Sequence, residues 1–323
     1  MVTLIFLVAI TALANLTREA NSAQARVRFT EAALTLEANL SYLAVTEPLS
    51  IDSIAVGGRR ATDEFEAGLP QGQAGSALLL HLDGRPYSAQ PVSPLIISVQ
   101  DEAGMINLAG LDELQSVRLA EAMGLGDARQ RRIQQIYLDY VDTDSLARTG
   151  GAEQSDYGRA RTANRSLLRP SEWLSLLGVR PEIDNRRWRG LESDLAFDRA
   201  TFLMNVNTAS SQSLQILFGI TQEQAEAAVR ARQSSPFLSL QDFVAASGAS
   251  NLIEGERRYT FPSGRFVYTI RDTRSRWVYR ARISLTPGGA ELPLWIDQAE
   301  LKEAAPDAAS DPIDATPFPY PLG

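Results

Sequence analysis

The residues best suited to chemistry are acidic side chains in the segment "YLDYVDTDSLARTGGAEQSDY", residues 137–157. Three of these acids end a predicted amphipathic helix, and the Gly150-Gly151 pair lets the following loop fold back so that two later acids approach the same point. Carboxylate oxygens on a flexible loop suit Ca²⁺, which takes roughly 6–8 oxygen ligands. The predicted calcium ligands are Asp139, Asp142, Asp144, Glu153 and Asp156.

Other interpretations of these acids exist. Their spacing does not match an EF-hand loop, so a solvated acidic loop without a metal is an open alternative. Carboxylates at the end of a helix face the negative end of its dipole, at a cost of roughly 0.3–1 kcal/mol each. Paired carboxylates are also typical of glycosidases, but no aromatic platform for a sugar lies nearby in the sequence. A metal site and a solvated loop therefore remain.

Composition excludes most other site chemistry. The 323 residues include no Cys, so a disulfide, a thiolate nucleophile and a Cys-based metal site are impossible. The single histidine, His81, lies in "ALLLHLDGRPY" and is predicted to be an ordinary strand residue. We therefore expect no enzymatic activity. The formal net charge of -8 argues against a nucleic-acid binder, which usually presents a basic face.

The helix before the acidic loop is predicted from "DARQRRIQQIYLDYV". Its apolar residues recur at helical spacing, and Asp127 is predicted to be its N-cap. These apolar residues are Ile133, Ile136, Tyr137, Tyr140 and Val141. A further helix, in "RPSEWLSLLG", is predicted to be capped by Ser171 and to end at Gly178.

A second candidate site lies in "NVNTASSQSLQILFGITQEQAEAAVRARQSSPFLSLQDF", Asn205 to Phe243. The segment predicts three short helices. Gly219 ends the first helix, Thr221 caps the second, and Ser239 caps the third. The arrangement resembles the helix-hairpin-helix of DNA-binding competence proteins.

The same segment departs from a DNA-binding hairpin in its chemistry. Such hairpins hold phosphate on backbone N–H groups at a Gly-x-Gly turn, but here the turn is "GIT". Glu223 and Glu226 add negative charge beside it, and only Arg230 and Arg232 are placed to touch phosphate. We predict that the fold is kept without nucleic-acid binding. The alternative hypothesis is a periplasmic helix-hairpin-helix DNA-binding protein of a competence-like system.

The N-terminus predicts one long helix. "MVTLIFLVAITALANL" carries no charge, although a membrane-spanning helix needs roughly 20 apolar residues. Neither Gly nor Pro interrupts the chain before Pro48, so an amphipathic helix is expected to continue to Val45. Its predicted stripe consists of Val27, Ala33/Leu34, Leu40 and Leu43/Ala44. The alternative is a signal peptide cleaved near Ala25 and followed by an ordinary helix.

Along the rest of the chain, the predicted secondary structure changes from strands to helices and back to strands. Strand patterns in "SALLLHL" and "PLIISVQ" precede the helical residues, and "RFVYTIRD", "RWVYRARISL" and "LPLWIDQ" follow them. Asp83-Gly84 is predicted to be a hairpin turn. The pattern predicts a helical domain inserted into a sheet domain. The predicted segments are the N-terminal helix at 1–47, β regions at 48–104 and 259–300, the helical insertion at 105–258, and a disordered tail at 301–323.

The joint order of these features resembles the minor pseudopilin K family of the bacterial type II secretion system. The resemblance spans nearly the whole chain. Its motifs are the apolar N-terminus, "MINLAGL", "YLDYVDTD…GGAEQSDY", "RPSEWLSLLGV", "NVNTA" and "SPFLSLQDF". It implies an α+β fold with a pilin-like long N-terminal helix plus antiparallel sheet and a large inserted all-α (helix-hairpin-helix/SAM-like) domain. The family's acidic loop resembles a calcium site. Its counterpart in this chain is the loop that contains the five predicted calcium ligands named above.

The resemblance also implies a location and partners. The expected function is a minor pseudopilin at the tip of a periplasmic pseudopilus, supporting protein export across the outer membrane. The expected partners are minor pseudopilins I and J, the major pseudopilus subunit, the inner membrane, and the prepilin peptidase that cuts a basic leader. No such leader precedes Val2, so a start upstream of this one, or a truncated chain, is expected. The expected location is the inner membrane, crossed once, with the bulk in the periplasm.

Overall fold

The computed structural model describes residues 2–57, 78–89, 95–198, 204–249, 260–273, 275–286, 291–303 and 314–319. Within them, a long helix, a mixed sheet and a largely helical region form the architecture. The predicted α+β class with a long N-terminal helix is confirmed.

The first element, α1, is a single helix from Val2 to Thr46. Its sequence contains no Gly or Pro to break the backbone hydrogen bonds, and Pro48 follows its end. One face is buried against the sheet through Phe29, Ala33, Leu36, Leu40 and Leu43. The predicted stripe is therefore only partly right, because Val27 and Leu34 lie on the exposed side. Within the described residues, no helix contains an apolar stretch sufficient to cross a membrane.

Within the described residues, the sheets are built from ten short to medium strands. The strands are β1 (Ser53–Val56), β2 (Leu78–His81), β3 (Tyr87–Ser88), β4 (Leu95–Asp101), β5 (Ile106–Asn107), β6 (Leu195–Ala196), β7 (Arg265–Asp272), β8 (Trp277–Leu285), β9 (Leu294–Glu303) and β10 (Thr316–Pro317). The main sheet has the order β10-β3-β4-β7-β8-β9 and is antiparallel except for the β10-β3 pair. Alternate residues of β7 and β8, such as Tyr268 and Ala281, form the core with α1.

The region between β4 and β7 is largely helical. Its helices are α2 (Glu113–Ala122), α3 (Asp127–Gln130), α4 (Ile133–Val141), α5 (Val179–Glu182), α6 (Asn185–Leu191), α7 (Ser211–Phe218), α8 (Gln222–Ser234) and α9 (Leu240–Ser247). Short 3-10 turns lie at Glu102–Gly104, Pro170–Ser175 and Glu192–Asp194. The parallel pair β5-β6 also lies here, so the region is not purely helical.

Two apolar clusters fill this helical region. One contains Ile136, Trp173, Trp188 and neighbours from residues 106–217, and the other contains Phe237, Phe243 and neighbours from residues 206–249. Phe218 packs against both clusters. The region also packs against the sheet, because Met105 and Ala196 cluster with Val267 on the face of β7 that α1 does not cover. The acidic loop thus belongs to a packed unit with its own core.

A buried carboxylate joins the helical region to the sheet. Asp101 is fully buried at the end of β4 and accepts five hydrogen bonds. The donors are Ser263 N (2.9 Å), Ser263 Oγ (2.7 Å), Ala103 N (3.2 Å), Asn205 Nδ2 (3.2 Å) and Thr208 Oγ1 (3.1 Å). Ala103 and Ser263 flank the predicted insertion at 105–258, whereas Asn205 and Thr208 lie within it. Gly104 is required beside them, because a Cβ there would lie 2.5 Å from the Thr208 backbone.

Three local predictions are wrong. Asp83-Gly84 does not form a hairpin turn, because β2 pairs with β1 while β3 pairs with β4 in the other sheet. Gly84, at φ +75°, instead turns the chain between sheets. Asp127 begins the short helix α3 after Gly126 and does not cap α4, whose N-cap is Arg132. Ser171 lies inside a 3-10 turn that starts at Pro170.

The C-terminal segment is more ordered than the sequence suggests. Strand β9 continues to Glu303, past the predicted boundary at residue 300. Strand β10 pairs in parallel with β3 at the opposite edge of the main sheet, and Phe318 packs edge-on against Tyr87 at 6.1 Å between ring centroids. The remaining residues of the predicted disordered tail, 304–313 and 320–323, lie outside the described residues.

Candidate functional site

The carboxylate cluster begins on α4. Asp139 follows Ile136 by three residues, so both side chains point to the same buried face of the helix. Asp139 is fully buried. Asp142 is the C-cap of α4, and its extended backbone (φ -77°, ψ 173°) ends the helix and starts the loop. The periodicity that buries the helix therefore also places a carboxylate inside.

The loop folds back onto α4 as the glycine pair predicts. Gly150 has φ +85°, a conformation that L side chains rarely adopt. Gly151 approaches Asp139 so closely that a Cβ would lie 1.8 Å from Asp139 Oδ2. Arg132 fixes the turn by donating from Nε to Gly150 O (2.7 Å) and from Nη2 to Gly151 O (3.2 Å). This turn brings Glu153 back to the end of α4.

Three of the five predicted ligands meet. Oxygen atoms of Asp139, Asp142 and Glu153 all lie within 4.8 Å of one another. Glu153 is only 5% exposed. Its Oε1 and the Oδ1 of Asp142 are buried and accept no hydrogen bond. Burial, together with the charges of Asp142 and Asp139, raises the pKa of Glu153.

The other two predicted ligands are used locally. Asp144 is exposed, and its Oδ1 accepts a hydrogen bond from Leu146 N at 2.8 Å. Asp156 Oδ2 accepts from Glu153 N at 2.9 Å, which closes the turn that carries Glu153. Gln154 also shapes the loop, because its Nε2 donates to Ala160 O at 2.8 Å. The structure thus brings together three of the predicted ligands and leaves Asp144 and Asp156 outside the cluster.

One basic side chain enters the cluster. Arg148 Nη1 lies 2.5 Å from Asp139 Oδ1 and 2.5 Å from Asp142 Oδ2, and Arg148 N donates to Asp139 Oδ2 at 3.0 Å. Hydrogen bonds to Asp142 and Asp139 raise the pKa of Arg148. Sequence reasoning missed this residue. The available signal was that Arg148 is the only cationic residue between Asp139 and Asp156.

The donor set fits a divalent cation of the calcium type. Three carboxylates and one guanidinium leave a formal charge of -2 when all are ionised, and two buried oxygens lack a partner. Unpartnered buried carboxylate oxygens are costly. Hard oxygen ligands favour Ca²⁺ or Mg²⁺ over softer metals. A bound cation would supply charge neutralisation and hold the loop against α4.

The helix-hairpin-helix-like segment has the predicted helices and caps. Gly219 ends α7 at φ +68°, Thr221 caps α8 in a capping box with Gln224, and Ser239 caps α9. The arginine side chains of this segment do not form an accessible phosphate-binding site. Arg232 is 7% exposed and donates from Nη1 to the carbonyl oxygens of Val206 and Ala209. Arg232 is therefore part of the fold.

Arg230, the other candidate for phosphate contact, is no better placed. Arg230 is paired with Glu226 on the same helix, at 3.8 Å between Nη1 and Oε2. His81, the single histidine, lies in β2 with Nδ1 3.2 Å from Asp52 Oδ2. The prediction that His81 is a strand residue is confirmed. No described feature of the segment favours the DNA-binding alternative.

Comparison with known proteins gives a consistent family. Two models of the family described as "Type II secretion system (T2SS), protein K" match residues 100–187 and 204–259. A curated relative, type II secretion system protein K of Pseudomonas aeruginosa, is 32% identical over 172 residues. That alignment covers 49% of this chain and 50% of the relative, so the chain matches about half the length of the relative. The carboxylate cluster lies inside the first matched segment.

A solved structure has a similar fold. It is the crystal structure of the GspK-GspI-GspJ complex from the type 2 secretion system of enterotoxigenic Escherichia coli. The match has a TM-score of 0.54 and covers 89% of this chain and 99% of that chain, at 17% sequence identity. At this identity the likeness concerns the fold.

Proposed function

We propose that the chain is a member of the type II secretion system protein K family and acts as a minor pseudopilin at the tip of a periplasmic pseudopilus. In this role it supports protein export across the outer membrane as a structural component. The proposal combines the family with the division of the fold into an exposed helix, a sheet body and a bulky helical region.

The observation that carries the proposal is a second apolar face on α1. Leu13, Leu16, Val27 and Leu34 are 66%, 63%, 54% and 49% exposed, although α1 buries a different set of residues against its own sheet. Their spacing of 3, 11 and 7 residues keeps them on one side of a helix that packs with neighbouring helices. A helix with two apolar faces suits a subunit that packs on itself and on its neighbours.

We propose homologues of minor pseudopilins I and J as the partners. The similar solved fold is a chain from a crystal structure of a GspK-GspI-GspJ complex. The exposed stripe of α1 offers the helix–helix contact that such an assembly needs. The major pseudopilus subunit would pack against the same helix below the tip, while the helical region between β4 and β7 adds width that keeps the tip from entering the outer-membrane channel.

We also propose that the chain is held at the inner membrane before assembly. The support is the uncharged run Met1–Leu16 at the start of α1, which leaves the sheet and the helical region on the periplasmic side. If the chain is membrane-held, it will fractionate with inner membranes, and deletion of residues 1–20 will release it to the periplasm. An intact chain found freely soluble and cleaved near Ala25 would contradict this attachment.

We further propose that Asp139, Asp142 and Glu153 bind Ca²⁺. The support is the convergence of three carboxylates with two unpartnered buried oxygens. Calcium accepts irregular sets of oxygen ligands, whereas Mg²⁺ demands a tighter octahedron. Binding would fix the loop at the end of α4 and so stabilise the helical region.

Assembly is tested by charge substitution on the exposed stripe. Leu34→Glu places a carboxylate where a partner helix would pack, and should abolish co-purification of the full chain with its I and J homologues and protein export in a complementation assay. Leu114→Glu is the matched control, because Leu114 is also an exposed leucine (63%) on a helix but lies on α2, away from α1 and from the acidic loop. Co-purification and export that survive Leu34→Glu would argue against α1 as the assembly surface.

A further inference from the structure

We infer that Arg148 is a tethered cation that occupies the calcium position in the metal-free chain and leaves it when calcium binds. The inference rests on the proposed calcium site and adds a residue that sets its affinity.

The position of the guanidinium carries the inference. Arg148 Nη1 lies 2.5 Å from Asp139 Oδ1 and 2.5 Å from Asp142 Oδ2. Calcium lies roughly 2.3–2.6 Å from its oxygen ligands. A calcium ion that bridged these two oxygens would therefore take the place of Nη1. The guanidinium and the metal compete for one position.

The surroundings allow the exchange. The side chain of Arg148 is 39% exposed, so it has an open path to solvent. Its backbone N–H holds Asp139 Oδ2 at 3.0 Å, a contact that does not depend on the side chain. Arg148 leaves Asp142 Oδ1 and Glu153 Oε1 without a partner. A doubly charged ion in this cluster would have these two buried oxygens available as further ligands, because the guanidinium donates to neither of them.

The exchange has two opposite consequences for one residue. In the metal-free chain, Arg148 offsets the repulsion among the three carboxylates and stabilises the loop. In the presence of calcium, the same ion pairs must be broken before the metal binds, which weakens the apparent affinity. Removal of the positive charge should therefore destabilise the metal-free chain and tighten calcium binding.

The first experiment compares the full chain with Arg148→Gln, which keeps a polar side chain and removes the charge. Calorimetric titration with calcium should give a Kd about tenfold lower for the variant, the scale of one charge-assisted hydrogen bond. Its melting temperature should be lower than wild type in chelator and should rise more on calcium addition. Arg186→Gln is the control for net charge, because Arg186 is an exposed arginine on α6 that does not contact the carboxylates of the cluster.

A second measurement uses the wild-type chain and does not depend on a folded variant. Phenylglyoxal modifies accessible arginine side chains, and mass spectrometry reports the modified peptide. Calcium should increase the modification of Arg148 severalfold and leave that of Arg186 unchanged.

The outcomes separate this inference from the calcium site. An equal Kd for wild type and Arg148→Gln, or protection of Arg148 from phenylglyoxal by calcium, would show that the arginine is not displaced, while the site itself would stand. No heat of binding in either protein would remove the site and the inference together.

Discussion

Two groups of buried carboxylates in this chain have opposite surroundings. Asp101, at the junction of the sheet and the helical region, accepts five hydrogen bonds from protein donors. In the acidic loop, Asp142 Oδ1 and Glu153 Oε1 are buried and accept none. A saturated carboxylate holds the fold together, whereas an unsaturated cluster is ready for a ligand. The difference in hydrogen bonding separates the acid that holds the fold from the acids of the proposed calcium site, which position in the sequence does not.

The strongest test of this comparison is Asp101→Asn. Burial raises the pKa of Asp101, and its hydrogen bonds with Ser263 and Ala103 oppose that rise. Asparagine has a single acceptor oxygen, so the donors around the other atom lose their partner. Two hydrogen bonds to a charged group, at about 1.5–3 kcal/mol each, predict a loss of about 3–6 kcal/mol in the free energy of unfolding.

Denaturant unfolding measures this loss, and it should be the same with calcium or chelator. Asp127→Asn, at an exposed position in α3, is the control. A loss below about 1 kcal/mol would mean that the junction does not depend on the saturated carboxylate.

The neighbouring Glu102 gives a pH-dependent test of the same junction. Burial raises its pKa to about 7, against the opposing effect of Arg282, whose Nε lies 2.6 Å from Glu102 Oε1. Because the folded-state pKa lies above the usual 4.5, the stabilisation is fully present below pH 4.5 and is lost as the pH rises through 7. At about 1.4 kcal/mol per pKa unit, the effect is about 3.5 kcal/mol at most.

Unfolding free energies measured from pH 5 to pH 8 should fall for wild type. Glu102→Gln cannot titrate, so its profile should be flatter over the same range. Parallel profiles for the two proteins would show that Glu102 titrates normally in the folded chain.

The elements with local signals could be predicted from the sequence. The uninterrupted α1 and the caps Thr221 and Ser239 depend on residues within one or two turns of each other. The glycine pair likewise predicted a loop that folds back, since Gly150 has a positive φ. Such features need no knowledge of distant contacts.

Features that depend on distant contacts could not be predicted. Asp101 is saturated by Asn205 and Ser263, which are 104 and 162 residues away. The pairing of β2 with β1 made the expected Asp83-Gly84 hairpin wrong for the same reason. In the site, composition identified the acids, but only the fold separates Glu153, which faces the cluster, from Asp156, which supports its backbone.

For Glu153 we predict a gain in stability on substitution, the opposite of the loss expected for Asp101→Asn. Glu153→Gln removes one of three mutually repelling charges, so in chelator the variant should be more stable than wild type by about 1–2 kcal/mol. Its raised pKa means that the stability of the metal-free wild type falls as the pH rises through that pKa. The variant should lose most of the calcium-induced rise in melting temperature.

Thermal melts with chelator, with millimolar calcium and with millimolar magnesium measure both effects, and magnesium should raise the wild-type melting temperature less than calcium. Gln154→Glu, which adds a charge at the next residue, is the converse variant. A Glu153→Gln chain that is less stable in chelator, and that still responds fully to calcium, would place Glu153 with the structural acids.

The smallest effect on stability and calcium binding is expected for Asp144, which is close to the cluster in sequence but does not belong to it. Its side chain is exposed, and its contact with Leu146 N can be kept by the amide oxygen of asparagine. Asp144→Asn should therefore change the free energy of unfolding by less than about 0.5 kcal/mol, in chelator or in calcium. Its calcium Kd should stay within about twofold of wild type, since an exposed charge is screened by water and salt. Asp142→Asn, two residues earlier, is the matched comparison and should abolish most of the calorimetric signal. If the two variants weaken calcium binding equally, the ion is held by the exposed loop and not by the three converging carboxylates.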